Sequence, residues 1–225
     1  MRNLNLLIAA LLFVTSYSGA DERSGPGRRT LIREGWGTVF FAPDQIKGDY
    51  ELTINENGDL YTFKTGQGTV VIEEKSEDVT LRFPDFEGSV DFEPDTLTVT
   101  WGAAVHTFRR EGSTMTYDGP QGRVDFSTSE REMTITGPRG AVELAHLPGV
   151  YVVKSPAGET RLETLPSGFR VSGVRLSEHP YLRRGAVFSH NGIGIYVELA
   201  LLDPKNPLFR LMEWNTLIEL ESSGP

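Results

Sequence analysis

The chain has 225 residues, a formal net charge of −9 and no cysteine, and 38% of its residues are hydrophobic. This acidic balance argues against a nucleic-acid partner, because non-specific binding to nucleic acid needs a basic face. Without cysteine the chain has neither disulfides nor a thiol nucleophile. Its fold must therefore be held by an apolar core or by extended backbone pairing.

The first twenty residues have the layout of a secretory signal peptide. Arg2 precedes an apolar stretch from Leu6 to Val14, and the small residues Ser18, Gly19 and Ala20 follow. The apolar stretch is much shorter than the roughly 20 residues that a spanning helix needs, which disfavours a retained anchor. We predict a signal peptide over 1–20 and an exported protein, periplasmic or secreted, that does not span the membrane once the signal is removed.

Residues 21–48 are predicted to be an N-terminal segment that joins the sheet formed by the rest of the chain. The β-repeat domain over 49–173 follows. Within it, pairs of apolar residues separated by one residue recur every nine positions, from Leu52 and Ile54 to Phe169 and Val171. Fourteen such pairs give 28 positions, and all but Gly88, His106 and Thr160 are apolar.

The residue between the members of each pair is polar in twelve of the fourteen cases and threonine in seven. Side chains of a strand alternate between its two faces, and threonine favours strands. We therefore predict about fourteen short strands with one dry face and one wet face. The residues of the apolar pairs will be called the dry positions.

Turn chemistry favours an antiparallel meander built from hairpins. Asn57-Gly58 is a strong two-residue hairpin signal. The segments GPQG (119–122), GPRG (137–140) and SPAG (155–158) suit a type I turn followed by glycine in the left-handed region. Because similar turns recur at alternate ends of the strands, the hairpin repeat is eighteen residues. A parallel β-solenoid with two strands per coil is the alternative.

A sheet of this width with one dry face must bury that face. It can curl into a barrel, fold into a sandwich, or wrap around another element. About eight strands already enclose a packed core, so a fourteen-stranded barrel would hold either the C-terminal part of the chain or a ligand.

The period ends near residue 173, and residues 174–225 are predicted to form an aperiodic hairpin and a helix that pack on the sheet. The hairpin turns at Asn191-Gly192. Asn206 suits a helix N-cap and Pro207 the first helical position, with apolar residues at helical spacing after them, so we predict a C-terminal helix over 207–220.

No catalytic, metal-binding or phosphate-binding motif is present, so no cofactor or metal is predicted. The candidate ligand-binding residues are Trp101 beside a turn, His106 on the dry face, and Glu178, His179 and His190 in the aperiodic region, where loops on a regular scaffold often carry function.

We consider three functions. The first is a non-catalytic exported β-repeat protein that serves as a binding or structural module at the cell envelope. Its partner would be a protein, a glycan or an apolar ligand. The second is a periplasmic or secreted carrier that encloses an apolar ligand in a barrel-like cavity. The third is an enzyme whose site includes Glu178, His179 and His190.

Overall fold

The computed structural model of this protein describes residues 29–33, 36–41, 49–76, 78–198, 208 and 213–219. Most of these residues form one large antiparallel sheet. Its fourteen strands are β3 (Glu51–Ile54), β4 (Leu60–Thr65), β5 (Gly68–Glu74), β6 (Asp78–Arg82), β7 (Glu87–Phe92), β8 (Thr96–Trp101), β9 (Ala104–Glu111), β10 (Thr114–Gly119), β11 (Gly122–Thr128), β12 (Glu132–Gly137), β13 (Gly140–Leu147), β14 (Val150–Ser155), β15 (Gly158–Leu165) and β16 (Gly168–Gly173).

Each of these strands pairs only with its neighbours in the chain, and every pair is antiparallel. The predicted meander of fourteen strands is confirmed. The alternative of a parallel solenoid is wrong, because a solenoid coil would stack parallel strands. Hairpins prevail since the turns between strands are short and suit antiparallel connections.

On the wet face, the central residue of a strand is the one between its two dry positions. These central residues form a regular set of cross-strand pairs. Their spacing along the chain is eighteen residues from one pair to the next. The pairs are Thr62 with Val71, Thr80 with Ser89, Thr98 with Thr107, Thr116 with Asp125, Thr134 with Glu143 and Val152 with Arg161. The alternation keeps the dry positions buried through the middle of the sheet, while Ile54 on β3 and Phe169 and Val171 on β16 are exposed at its two ends.

Two turns have the conformation predicted from the sequence, and the turn of the first hairpin differs from its prediction. Gly122 and Gly140 have φ values of 98° and 101°, the left-handed region that the Gly-Pro-x-Gly segments predicted. The first hairpin is different. Its strands pair as predicted, but its tight turn runs from Asn55 to Gly58, because the Gly58 N–H donates to the Asn55 carbonyl at 3.1 Å. The Asn55 side-chain oxygen also accepts from the backbone N–H groups of Asp59 and Leu60, which follow the turn.

A second sheet has the strand order β1-β2-β18-β17-β19. Its strands are β1 (Arg29–Arg33), β2 (Trp36–Phe41), β17 (Arg183–His190), β18 (Ile193–Glu198) and β19 (Glu213–Glu219). The described part of the N-terminal segment therefore pairs with β18 and not with the repeat sheet. β17 and β18 form the hairpin at Asn191-Gly192. A 3₁₀ turn at Leu176–Glu178 precedes them.

The C-terminal helix is not found where the backbone is described. Residues 213–219 form β19, which pairs in parallel with β17. The sequence there, EWNTLIE, contains Trp, Thr and Ile, which favour strands, and the edge of β17 offers backbone partners that local helical spacing does not reveal. Of the predicted helix 207–220, residues 207, 209–212 and 220 lie outside the described residues.

The β17–β18 hairpin covers the dry face of the large sheet. Phe188, Ile193, Ile195 and Val197 are fully buried in one core with the dry positions. Among the described strands β3 and β16 lie at the two edges of the sheet, and no pairing joins them into a closed barrel. The dry face is thus buried by packing on another element.

Two further contacts join the C-terminal and N-terminal segments to turns and strand ends of the large sheet. The Tyr181 hydroxyl accepts from the backbone N–H of Arg139, whose guanidinium lies 4.6 Å from the Tyr181 ring centre. Trp36 Nε1 donates to the Glu93 carbonyl at 3.2 Å, and the Arg110 guanidinium lies 4.2 Å from the Trp36 ring. These contacts hold the second sheet over the dry face.

Candidate functional site

His106 lies on the dry face beneath the covering hairpin and is fully buried. Its Nδ1 is 2.8 Å from the Tyr117 hydroxyl, and its ring lies edge-on to Phe188 at 4.9 Å. Burial lowers the pKa of His106 to about 4, so the imidazole is neutral at physiological pH. Gly119 makes room for this pair, since a Cβ there would lie 2.0 Å from the Tyr117 hydroxyl.

Trp101 is buried among aromatic rings. Its ring centre lies 5.1 Å from Phe86, 6.1 Å from Phe83 and 6.1 Å from Phe188. Its six-membered ring covers Gly88 on the neighbouring strand, where a Cβ would come within 2.4 Å. In this structure Trp101 packs the two sheets together, and its ring does not lie open for stacking on a ligand.

His190 belongs to the same aromatic group. It stacks on Phe86 with 4.7 Å between ring centres and lies edge-on to Phe83 at 4.9 Å. Its Nε2 is 3.3 Å from the Asp85 carboxylate, which is well exposed. The structure therefore brings the predicted residues Trp101 and His190 together through Phe86, at the hairpin between β6 and β7.

His179 is the centre of a separate, buried hydrogen-bond cluster. Ser155 Oγ is 2.7 Å from its Nδ1, and Thr160 Oγ1 is 2.7 Å from its Nε2. Thr160 also donates to the Val174 carbonyl, so it accepts from Nε2–H of the neutral ring. Ser155 then donates to Nδ1, while its own oxygen accepts from the Ala157 N–H at 3.1 Å. Burial lowers the pKa of His179, which Glu178 partly opposes, and this favours the neutral ring.

A serine hydroxyl that donates to an imidazole is the geometry of a nucleophile and its base. Here, however, both ring nitrogens of His179 are engaged in hydrogen bonds, to Ser155 and Thr160, that fix a loop in place. The cluster attaches residues 174–179 to β14 and β15. The sequence analysis did not identify Ser155 or Thr160. The available signal was Thr160 itself, one of three residues that interrupt the apolar dry positions.

The predicted group of Glu178, His179 and His190 does not form one site. His179 contacts β14 and β15, whereas His190 contacts the β6–β7 hairpin, eight strands away in the meander. Glu178 is exposed at the end of the 3₁₀ turn. The acid–base arrangement that these three residues would need is not assembled.

Apolar residues remain exposed at the β16 end of the large sheet. Phe169 and Val171 occupy dry positions of β16, yet 41% and 54% of their surfaces are exposed. Tyr151 lies 6.4 Å from Phe169 and stacks on His146 at 4.4 Å. We call these four residues the β16 corner. All six residues of β16 are exposed, and no described strand pairs with its outer side, so the corner adjoins an open strand edge in the described part of the chain.

In the part of the chain with described positions, no group of three or more His, Asp or Glu side chains is arranged to hold a metal ion. The same residues contain no helix with the length and apolar character needed to cross a membrane.

The fold and these sites define a class: an all-β protein in which a fourteen-stranded antiparallel meander packs over a hairpin of a smaller sheet. Comparison with known proteins yields no match, whether to a protein-family model, to a curated protein or to a solved structure.

Proposed function

We propose that this chain is an exported, non-catalytic β-repeat protein that acts as a binding or structural module at the cell envelope. The observation that carries the proposal is the β16 corner. Soluble proteins bury large apolar residues wherever their own chain supplies a cover, so an uncovered apolar group beside an open strand edge favours a binding surface. The signal-like segment 1–20 supports export.

The chemistry of the histidines supports a non-catalytic role. His106 and His179 are neutral, buried and hydrogen-bonded to neighbouring hydroxyl groups. His190 packs on aromatic rings. Each therefore has a structural partner, although Nε2 of His106 is buried without a hydrogen-bond partner among the described residues.

The carrier alternative has less support. A carrier needs space on the dry face, but side chains of the β17–β18 hairpin pack there. Phe188 lies within 6.1 Å of Trp101 and 4.9 Å of His106, ring centre to ring centre, and is fully buried.

The proposal is tested by fractionating cells that express residues 1–225. We expect a mature protein that begins near Asp21 and is retained with the envelope. The double variant Phe169→Ser, Val171→Ser should lose most of this retention, because covering each half-exposed side chain is worth about 1 kcal/mol.

A matched control is Val105→Ser. Val105 is 53% exposed but points to the opposite face on β9, so its loss should leave retention unchanged. The proposal fails if the chain stays inside the cell with residues 1–20 attached. It also fails if the double variant is retained as well as the control.

A further inference from the structure

Among the described strands, both edges of the large sheet lack a partner. No described strand pairs with the outer side of β3 or of β16. Open edges offer unpaired N–H and C=O groups to another strand, and proteins usually protect them with proline, bulges or several charges. β16 has the sequence GFRVSG, which contains no proline and one charged residue, Arg170, and it pairs with β15 without a bulge.

The strand directions at the two edges are complementary. Successive strands of the meander alternate in direction, and the number of strands is even. β3 and β16 therefore run in opposite directions. If a second copy is placed beside the first in the same orientation, its β3 lies antiparallel to β16, with the dry faces on the same side.

The spacing of the wet-face pairs predicts the register of this contact. From β4 to β15 the central residues pair two by two, and the last such pair is Val152 with Arg161. At the β3 edge, Thr53 pairs with Thr62 on its inner side. One strand further, the central residue of β16 is Arg170, which would pair with Thr53, the central residue of β3 in the next copy.

The dry positions then match. With Arg170 opposite Thr53, Phe169 lies opposite Ile54, and Val171 lies opposite Leu52. Ile54 is 51% exposed and Leu52 half-buried within one copy. The uncovered apolar residues of one edge would therefore cover those of the other, as cross-strand neighbours about 5 Å apart.

The charges of the two edges are also complementary. Residues 49–56 carry Asp49, Glu51 and Glu56 and no basic residue. Residues 168–175 carry Arg170 and Arg175 and no acidic residue. Charges of opposite sign favour contact between different edges and disfavour contact between two copies of the same edge.

We propose that the occupant of the β16 corner is the β3 edge of a second copy of this chain, which continues the meander from one molecule to the next. This inference rests on the proposed function and names the partner of its binding surface. The contact joins two different surfaces, so it propagates head to tail into a ring or an open filament.

The absence of native cysteine allows a direct test. Arg170→Cys and Thr53→Cys are prepared separately, mixed and mildly oxidised. The two positions would face each other at a distance that a disulfide can span. We expect a disulfide-linked dimer in the mixture and little in either variant alone. Arg170→Cys mixed with Ser113→Cys, an exposed turn position far from both edges, is the control.

Adding Phe169→Ser and Val171→Ser to the Arg170→Cys chain should reduce cross-linking about tenfold or more, because the apolar contact is lost. Sedimentation of the wild-type chain should show its mass rising with concentration. A monomer at every concentration with no mixed dimer would overturn the inference, as would efficient dimers of Arg170→Cys alone, which indicate β16 paired with β16.

The two proposals can fail separately. If the Phe169→Ser, Val171→Ser variant loses envelope retention while no mixed dimer forms, the corner binds another partner and the second-copy inference is wrong. If the mixed dimer forms but retention does not depend on the corner, the assembly stands and the proposed function is wrong.

Discussion

Acidification should weaken the fold through His106. The pKa of this side chain falls from an ordinary 6.5 to about 4 in the folded protein because the ring is buried. Above pH 6.5 the ring is neutral in both states. Between pH 6.5 and about 4 the unfolded chain binds the proton and the folded chain does not. A difference of about 2.5 pKa units corresponds to about 3 kcal/mol of unfolding free energy, and below about pH 4 the loss is complete.

Tyr117, the hydrogen-bond partner of His106, does not titrate in this range, since burial and the neighbouring Asp118 raise its pKa to about 12. The assay is urea unfolding near pH 7 and near pH 4, for the wild type and for His106→Gln. Glutamine keeps a polar side chain but does not bind a proton in this pH range. All other titratable groups are the same in both proteins, so the wild type should lose about 3 kcal/mol more than the variant. Equal losses would refute the assignment of this pH dependence to His106.

Gly88→Ala should lower the unfolding free energy by about 1–3 kcal/mol, because the new Cβ would lie 2.4 Å from the Trp101 ring. Gly66→Ala is its control: nothing lies within 4 Å, and we expect a change within about 0.5 kcal/mol in the same fluorescence-monitored urea titration. Equal effects would contradict the close packing at Gly88. Thr160→Val keeps the side-chain volume but removes the hydrogen-bond partner of His179 Nε2, so the unfolding free energy should fall by about 1–3 kcal/mol in the same titration. An unchanged unfolding free energy would show that this bond does not anchor the loop.

Much of the large sheet could be predicted from the sequence because its information is local. The nine-residue spacing determines the strands and their faces, and the short turns determine antiparallel pairing. The three interruptions of the dry positions reflect instead particular side-chain contacts, which the spacing of apolar residues does not reveal. Gly88 accommodates Trp101, His106 pairs with Tyr117, and Thr160 binds His179.

The predictions that the structure does not support, the partners of His179 and the C-terminal helix, also relied on local sequence signals. His179 was a predicted site residue, but it was grouped with Glu178 and His190, which are close to it in the sequence. Its actual partners are on β14 and β15, and the predicted role of Ser155 in a turn gave no reason to connect it to an imidazole. The helix over 207–220 was predicted from its N-terminal residues Asn206 and Pro207 and from helical spacing, and neither of these local signals shows the edge of β17 that residues 213–219 pair with.

The covering hairpin has a consequence for how this protein can change in size. Because strands β3 to β16 pair only with their neighbours in sequence, an eighteen-residue unit can be duplicated or deleted without altering the partners of any distant strand. The β17–β18 hairpin cannot grow in this way, since its apolar surface is limited to two strands. Extra units would extend the sheet beyond the hairpin that covers it, and their apolar residues would be left exposed to water.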